Sequence, residues 1–299
     1  MALSIAEYLG QRVDGTNEIQ PAVGNENCPF MAAPCSKIKE LNKPICSVRK
    51  NNGDIWIVCK HRLCATLKNV PLVFHQRRVL ISIAKRIWGN NVEPHDIFVK
   101  REVRIPVVGT SNYNADYIMI NRSERLYDCP KKIVLEMQGG GETSNTGRIT
   151  NLVNLWENNP FRTNADLASP LSGVGTIETN AWRRQQEQFI IKGNIAMQTG
   201  GAIVFCVGKT LYDYLYQRVQ SANLRNLENN NWTLCLIGFT PDEDNQDQQS
   251  LNFHIDNSRI LFTNYISFVQ TLINQGDPYP EMFLGEFDNL ANTDRITIL

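Results

Sequence analysis

Residues 132–138 read Lys-Ile-Val-Leu-Glu-Met-Gln, an apolar run of strand length with a carboxylate near its end. A run this apolar is covered on both faces in a folded protein, so Glu136 enters the interior with it, where a carboxylate is costly unless paired or bound to a cation. Side chains two apart leave the same face of a strand, which puts Gln138 beside Glu136. Asp116 opens a second apolar run, Asp-Tyr-Ile-Met-Ile at 116–120, and a neighbouring hairpin strand carrying it would bring three oxygen-bearing groups together. Such a set suits a hard divalent cation such as Mg²⁺, which keeps several waters and activates one for attack on phosphorus. The spacing by itself is loose, and carboxylates at strand ends are commonly just solvated or paired with basic residues.

The elements around these residues follow an α/β order. Residues 77–88 place Val79, Leu80, Ile83, Ala84 and Ile87 on one helical face. Segments 102–108 and 116–120 read as extended, separated by Gly-Thr-Ser-Asn at 109–112, and strand 132–138 follows. After glycines at 139–141, helices are predicted at 149–156 and 181–197, a buried strand at 202–207, and strand 232–239 after one more helix. Segment 253–262 either completes the sheet or forms a contact between copies, and the polar stretch 242–249 reads as a solvated loop. Two regions are expected: a cysteine-rich opening at 1–67 and a larger domain at 68–299.

Lys plus Arg number 30 and Asp plus Glu number 30, so any anion site must arise from local clustering. The opening nonapeptide has no basic start and soon meets Glu7, unlike a secretory signal, and no apolar run approaches the roughly 20 residues of a spanning helix. The expectation is a cytoplasmic protein without a membrane partner. Five of the eight cysteines fall between Cys28 and Cys64, and in a reducing compartment they are not expected to form disulfides. Cys28, Cys35, Cys46 and Cys59 are separated by six, ten and twelve residues, wider than common zinc-finger pairs. Four thiolates suit tetrahedral zinc or a single iron, while the alternative is four buried thiols acting as small hydrophobes. Cys64 or His61 could replace one ligand; Cys129, Cys206 and Cys235 read as packing residues.

Helix 180–192 carries Arg184, Gln188 and Lys192 at i, i+4 and i+8, a largely cationic line opposite Trp182, Phe189 and Ile190. That line is either a solvated face or a phosphate-positioning one. For reading bases through bidentate contacts, Arg77, Arg148 and Arg162 are candidates.

Taken in order, these motifs resemble the PD-(D/E)XK nucleases, and within them the NotI-like restriction endonucleases. Leu135-Glu136-Met137-Gln138 matches the subgroup's Glu-x-Gln, where most of the superfamily has Lys at the last position. Asp116-Tyr117 matches its Asp followed by an aromatic residue, and Glu102 its preceding-strand Glu. Cys28-Pro29-Phe30 and Val58-Cys59-Lys60-His61-Arg62 match the ends of its cysteine cluster, and Asn180, Arg183, Arg184, Gln188 and Lys192 its helix pattern. The resemblance implies a mixed central sheet flanked by helices, with an N-terminal Cys₄ metal region whose iron or zinc is structural. Asp116 and Glu136 would ligate Mg²⁺, Glu102 would support a second metal or a metal-bound water, and Gln138 would position water or phosphate. Arg183, Arg184, Gln188 and Lys192 would contact DNA and support the active site. It further implies a bacterial type II enzyme acting as a homodimer on a GC-rich palindrome containing GGCC, such as CGGCCG. Two other readings stand beside it: a non-catalytic DNA-binding or metal-sensing protein, and a repair nuclease of the same superfamily.

Overall fold

The chain opens with short strands β1 (Ala2–Tyr8) and β2 (Gln11–Arg12), one helical turn α1 (Ser36–Lys39), and strands β3 (Ile45–Lys50) and β4 (Ile55–Ile57). Helix α2 (Phe74–Trp88) leads into β5 (Ile97–Ile105), β6 (Tyr113–Asn121) and β7 (Lys132–Gln138). Then come α3 (Thr146–Asn158), α4 (Asn164–Leu167), β8 (Leu171–Ser172), α5 (Glu178–Gln198), β9 (Ala202–Gly208) and α6 (Lys209–Val219). Strands β10 (Leu234–Asp242) and β11 (Asn252–Thr263), helix α7 (Tyr265–Ile273) and the hairpin β12 (Gly285–Asp288) and β13 (Arg295–Ile298) complete it. This computed structural model describes residues 2–105, 112–123, 129–243, 249–274, 280–288, 290–291 and 295–298, without the side chains of 184, 185, 187, 188, 280 and 281.

The central sheet runs β11-β10-β9-β7-β6-β5, with β7-β9 and β9-β10 parallel and the other pairs antiparallel. It is the helix-flanked mixed sheet that the resemblance implies, and 253–262 completes it as β11. On one face lie Tyr117, Met119, Ile133, Leu135, Val204 and Ile237, covered by the Val79, Leu80, Ile83, Ala84 and Ile87 stripe of α2. On the other lie Ile203, Phe205, Val207 and Leu236, covered by α5, α6 and α7. Strand β5 begins at Ile97, earlier than the sequence pattern suggested, because the charged pair Lys100 and Arg101 masks a half-buried edge strand. Of the expected connector, residues 109–111 lie outside the described residues, as do 106–108 of the expected strand and 244–248 of the polar loop.

The N-terminal sheet, in the order β2-β1-β3-β4 with β8 also on β1, shares its core with the rest of the chain. Ile5, Tyr8, Ile45, Val48 and Trp56 pack in one cluster with Val153, Trp156, Trp182, Phe205 and Leu211. Its last strand docks where β7 ends. A Cβ on Gly139 would stand 2.4 Å from Ile57 Cγ2, and one on Gly140 would stand 2.7 Å from the Ile57 carbonyl oxygen. The two glycines therefore let β4 approach the end of the central sheet. Among the described residues no helix is long and apolar enough to cross a membrane.

Candidate functional site

Three acidic residues form one row across adjacent strands. Arg101 pairs with Tyr117 and Val103 with Ala115, which sets Glu102 opposite Asp116. Tyr117 pairs with Leu135, so one step further Asp116 meets Glu136. There the regular ladder ends and side chains take over: the Met137 N–H donates to Asp116 Oδ2 at 2.8 Å, and the Asp116 N–H donates to Glu136 Oε1 at 3.4 Å. Glu102 holds φ at 45°, left-handed for a residue inside a strand. Such a conformation costs about 1–3 kcal/mol and persists where the surroundings enforce it, commonly at functional sites. Its Oε1 accepts from Thr66 Oγ1 at 3.4 Å.

Helix α5 supplies the counter-charge. Glu136 and Phe205 are register partners on β7 and β9, and the Phe189 ring packs on Phe205 at 5.3 Å. Burying Phe189 contributes about 1.5–3 kcal/mol and fixes the helix on the sheet. Three residues later on the same helical face comes Lys192, whose ammonium donates to Glu136 Oε2 at 2.7 Å. Lys192 is 1% and Glu136 4% exposed. Of the two readings of the 180–192 line, the solvated one does not hold for Lys192, which lies inside the protein where its helix position and the register above place it. Arg183 is exposed; the side chains of Arg184 and Gln188 lie outside the described residues.

The electrostatics of the row call for positive charge. Burial, with Asp116 alongside, pushes the Glu136 carboxyl up to about 7 even though Lys192 opposes the shift. Burial also raises Asp116, and Glu102 adds to the effect while the Met137 N–H, Lys192 and Lys60 counter it. Gln138 lies at the mouth of the row, its Nε2 donating to the Gly140 carbonyl at 2.6 Å. Beside it opens a cleft of about 680 Å³ between the cysteine region and the central sheet, lined by Gln138, Gly139, Gly140, Lys37, Lys43 and Lys60. Lys37 on α1 and Lys43 and Lys60 in loops are given no role by the sequence, since isolated lysines carry no pattern.

The donor set is all oxygen, two of the carboxyls sit above their ordinary range, and the row is part-buried; that chemistry fits a hard divalent cation. As the side chains stand, Asp116 is engaged by Met137 and Glu136 by Lys192. Among the described residues no three His, Cys, Asp or Glu side chains are grouped closely enough to hold an ion without rearrangement.

Cys28, Cys35, Cys46 and Cys59 are all buried and pack together with Phe30, Met31 and Ala65. The Gly10 N–H donates to Cys46 Sγ at 3.2 Å. A hydrogen bond shared between Cys46 and Cys59 draws the Cys59 thiol down and raises Cys46, while burial raises Cys28 to about 11. The four thiols share one buried cluster, but like the acidic row they form no group of three able to hold a metal ion among the described residues. Cys64 lies elsewhere, in the α2 face of the sheet core, with Tyr117 Oη 3.2 Å from its sulfur. His61 is buried and held down to about 4 by that burial, its Nδ1 without a hydrogen-bond partner. Cys206 and Cys235 pack in the sheet core, and Cys129 lies at its margin.

Behind the cysteines is a feature the sequence reading missed. Arg62 Nε and Nη2 each donate to the Glu7 carboxylate at 2.7 Å, and Ser47 Oγ donates to the same carboxylate at 2.7 Å. The Leu251 N–H adds a bond at 3.1 Å, and the guanidinium is sandwiched between the Phe30 and Phe253 rings at 4.2 and 4.5 Å. Glu7 and Arg62 are both fully buried. The candidate base readers are not brought together: Arg148 on α3 bonds the Ser172 carbonyl, Arg77 on α2 the Leu72 carbonyl, and Arg162 the Asn159 carbonyl.

No protein-family model and no curated protein matches this chain.

Proposed function

We propose that the chain is a Mg²⁺-dependent DNA endonuclease of the PD-(D/E)XK type, with Asp116, Glu136, Gln138 and Glu102 at its centre. The observation that carries this reading is the row Glu102, Asp116, Glu136 on three adjacent strands, with Gln138 at the mouth of a lysine-lined cleft. A pure DNA binder has no use for a part-buried row of carboxylates.

Asp116 and Glu136 would hold the cation, and Mg²⁺ supplies Lewis acidity and an acidified water. The chain's own residues then have distinct tasks. The Met137 N–H fixes the Asp116 carboxylate, Glu102 is poised by its strained backbone beside it, and the amide of Gln138 orients a water or a phosphate oxygen. In the hydrolysis a water oxygen bonds to phosphorus, the water gives up a proton, and the ester P–O bond breaks with its electron pair leaving on an alkoxide that takes up a proton. We extend the reading to a type II restriction enzyme, bacterial and acting as a homodimer on a GC-rich palindrome containing GGCC, with CGGCCG the first sequence to test. The direct experiment incubates supercoiled plasmid with the protein in Mg²⁺ or EDTA. Linear product in Mg²⁺ alone supports the reading; intact plasmid in both overturns it.

A pH dependence follows. The cation needs the Glu136 carboxylate, whose proton is held up to about pH 7. Below that value Mg²⁺ must displace the proton, so its apparent affinity falls about tenfold per pH unit. At subsaturating Mg²⁺ the cleavage rate is expected to climb with pH through about 7 and then level off, and saturating Mg²⁺ should move the midpoint lower. A rate independent of pH from about 5.5 to 8.5 would contradict the assignment.

For the four cysteines we propose a structural Cys₄ site holding iron or zinc. Elemental analysis of the purified protein is expected to give one such atom per chain, with Cys28→Ser and Cys46→Ser each abolishing it. A metal-free protein of unchanged thermal stability would leave four packing thiols.

A further inference from the structure

We propose that Lys192 is the cation that faces the scissile phosphate, supplying from α5 the charge that the neutral Gln138 cannot supply from β7; this rests on the nuclease reading above. The acidic row and Gln138 offer phosphorus no positive group of their own, and the Gln138 amide is turned to the Gly140 carbonyl. The ammonium at this row is that of Lys192, 2.7 Å from Glu136 and buried with it. A buried ion pair is weak evidence for stability, and unlike the structural pair Glu7–Arg62 this one is made to a member of the acidic row. Its placement is built in: Phe189 locks α5 onto Phe205, and Phe205 is the register partner of Glu136. A lysine's four-carbon stem and rotatable ammonium let the charge swing from Glu136 to a phosphate oxygen once Glu136 engages a cation. Charge stabilisation by one such preorganised group is worth about 10²–10³-fold in rate. Lys60, exposed at the cleft and electrostatically felt by Asp116, is the rival for this role.

The test compares Lys192→Met, Lys192→Gln, Lys60→Met and the charge relocation Gln138→Lys/Lys192→Met, each first shown to unfold cooperatively. With plasmid and Mg²⁺, Lys192→Met is expected to lower kcat at least about 100-fold with KM within about threefold, and the double variant to recover at least about tenfold. Lys192→Gln, which keeps a hydrogen bond to Glu136, should be as impaired as Lys192→Met. A second readout needs no cleavage: binding of a fluorescein-labelled duplex containing CGGCCG, in Ca²⁺, as a function of salt. The slope of log affinity against log salt should flatten by about 1 in Lys192→Met and return in the double variant. Cleavage by Lys192→Met within about threefold of the unmodified protein overturns the proposal, as does loss of cleavage in Lys60→Met alone. Failure of the double variant to recover either rate or slope also overturns it, leaving Lys192 a mere counter-ion. If the unmodified protein itself cuts no DNA, the nuclease reading is what fails.

Discussion

Glu136→Gln is expected to lower the Mg²⁺-dependent cleavage rate by about 10³-fold, roughly 4 kcal/mol of transition-state stabilisation. The amide keeps the shape of the side chain and an acceptor for Lys192, but it removes the charge that would hold the cation. The same change leaves the Lys192 ammonium buried without a carboxylate, so stability should fall as well. The two effects separate in the double variant Glu136→Gln/Lys192→Met. Removing both charges of a buried pair is often neutral or stabilising, so thermal stability should return while cleavage does not. A Glu136→Gln protein that cuts within about tenfold of the unmodified rate would remove Glu136 from the chemistry.

Arg62→Ala is expected to cost about 3–5 kcal/mol, because it strands the Glu7 carboxylate in the interior. For a chain of 299 residues that corresponds to a fall in Tm of roughly 5–8 °C. Glu7 also accepts from Ser47 and from the Leu251 backbone, and Arg62 fills the space between Phe30 and Phe253. The knot therefore ties β1, β3, the cysteine region and the start of β11 together, and its loss should loosen all four. Thermal unfolding followed by circular dichroism measures it; a shift under about 2 °C would show that the contacts contribute little.

The central sheet was legible because its strands carry continuous apolar runs and its helices a 3.6-residue stripe, signals set by burial on both faces. Asp116 and Glu136 could be found for the same reason, as charges inside those runs. The third member of the row was harder to place. Glu102 lies in a half-buried edge strand of mixed charge, where its departure into left-handed φ has no sequence signature. Lys192 was legible as part of a helical line but not as a buried group, since the depth of a lysine depends on how α5 is set down by Phe189 on β9. Glu7 carried the very signal used for Glu136, a carboxylate inside the apolar run 3–9, and its partner Arg62 stands in the motif that closes the cysteine cluster. What the sequence hides is the pairing, because residues 55 positions apart meet only through the fold.

The claim that the acidic row is a cation-dependent cleavage centre is tested most directly by digesting a DNA of known sequence with the unmodified protein, Asp116→Asn and Glu136→Gln, in Mg²⁺ and in EDTA. Discrete fragments ending at one GC-rich palindrome are expected, from the unmodified protein in Mg²⁺ alone. Intact DNA in every lane, or cleavage that survives in EDTA or in both variants, would contradict that claim.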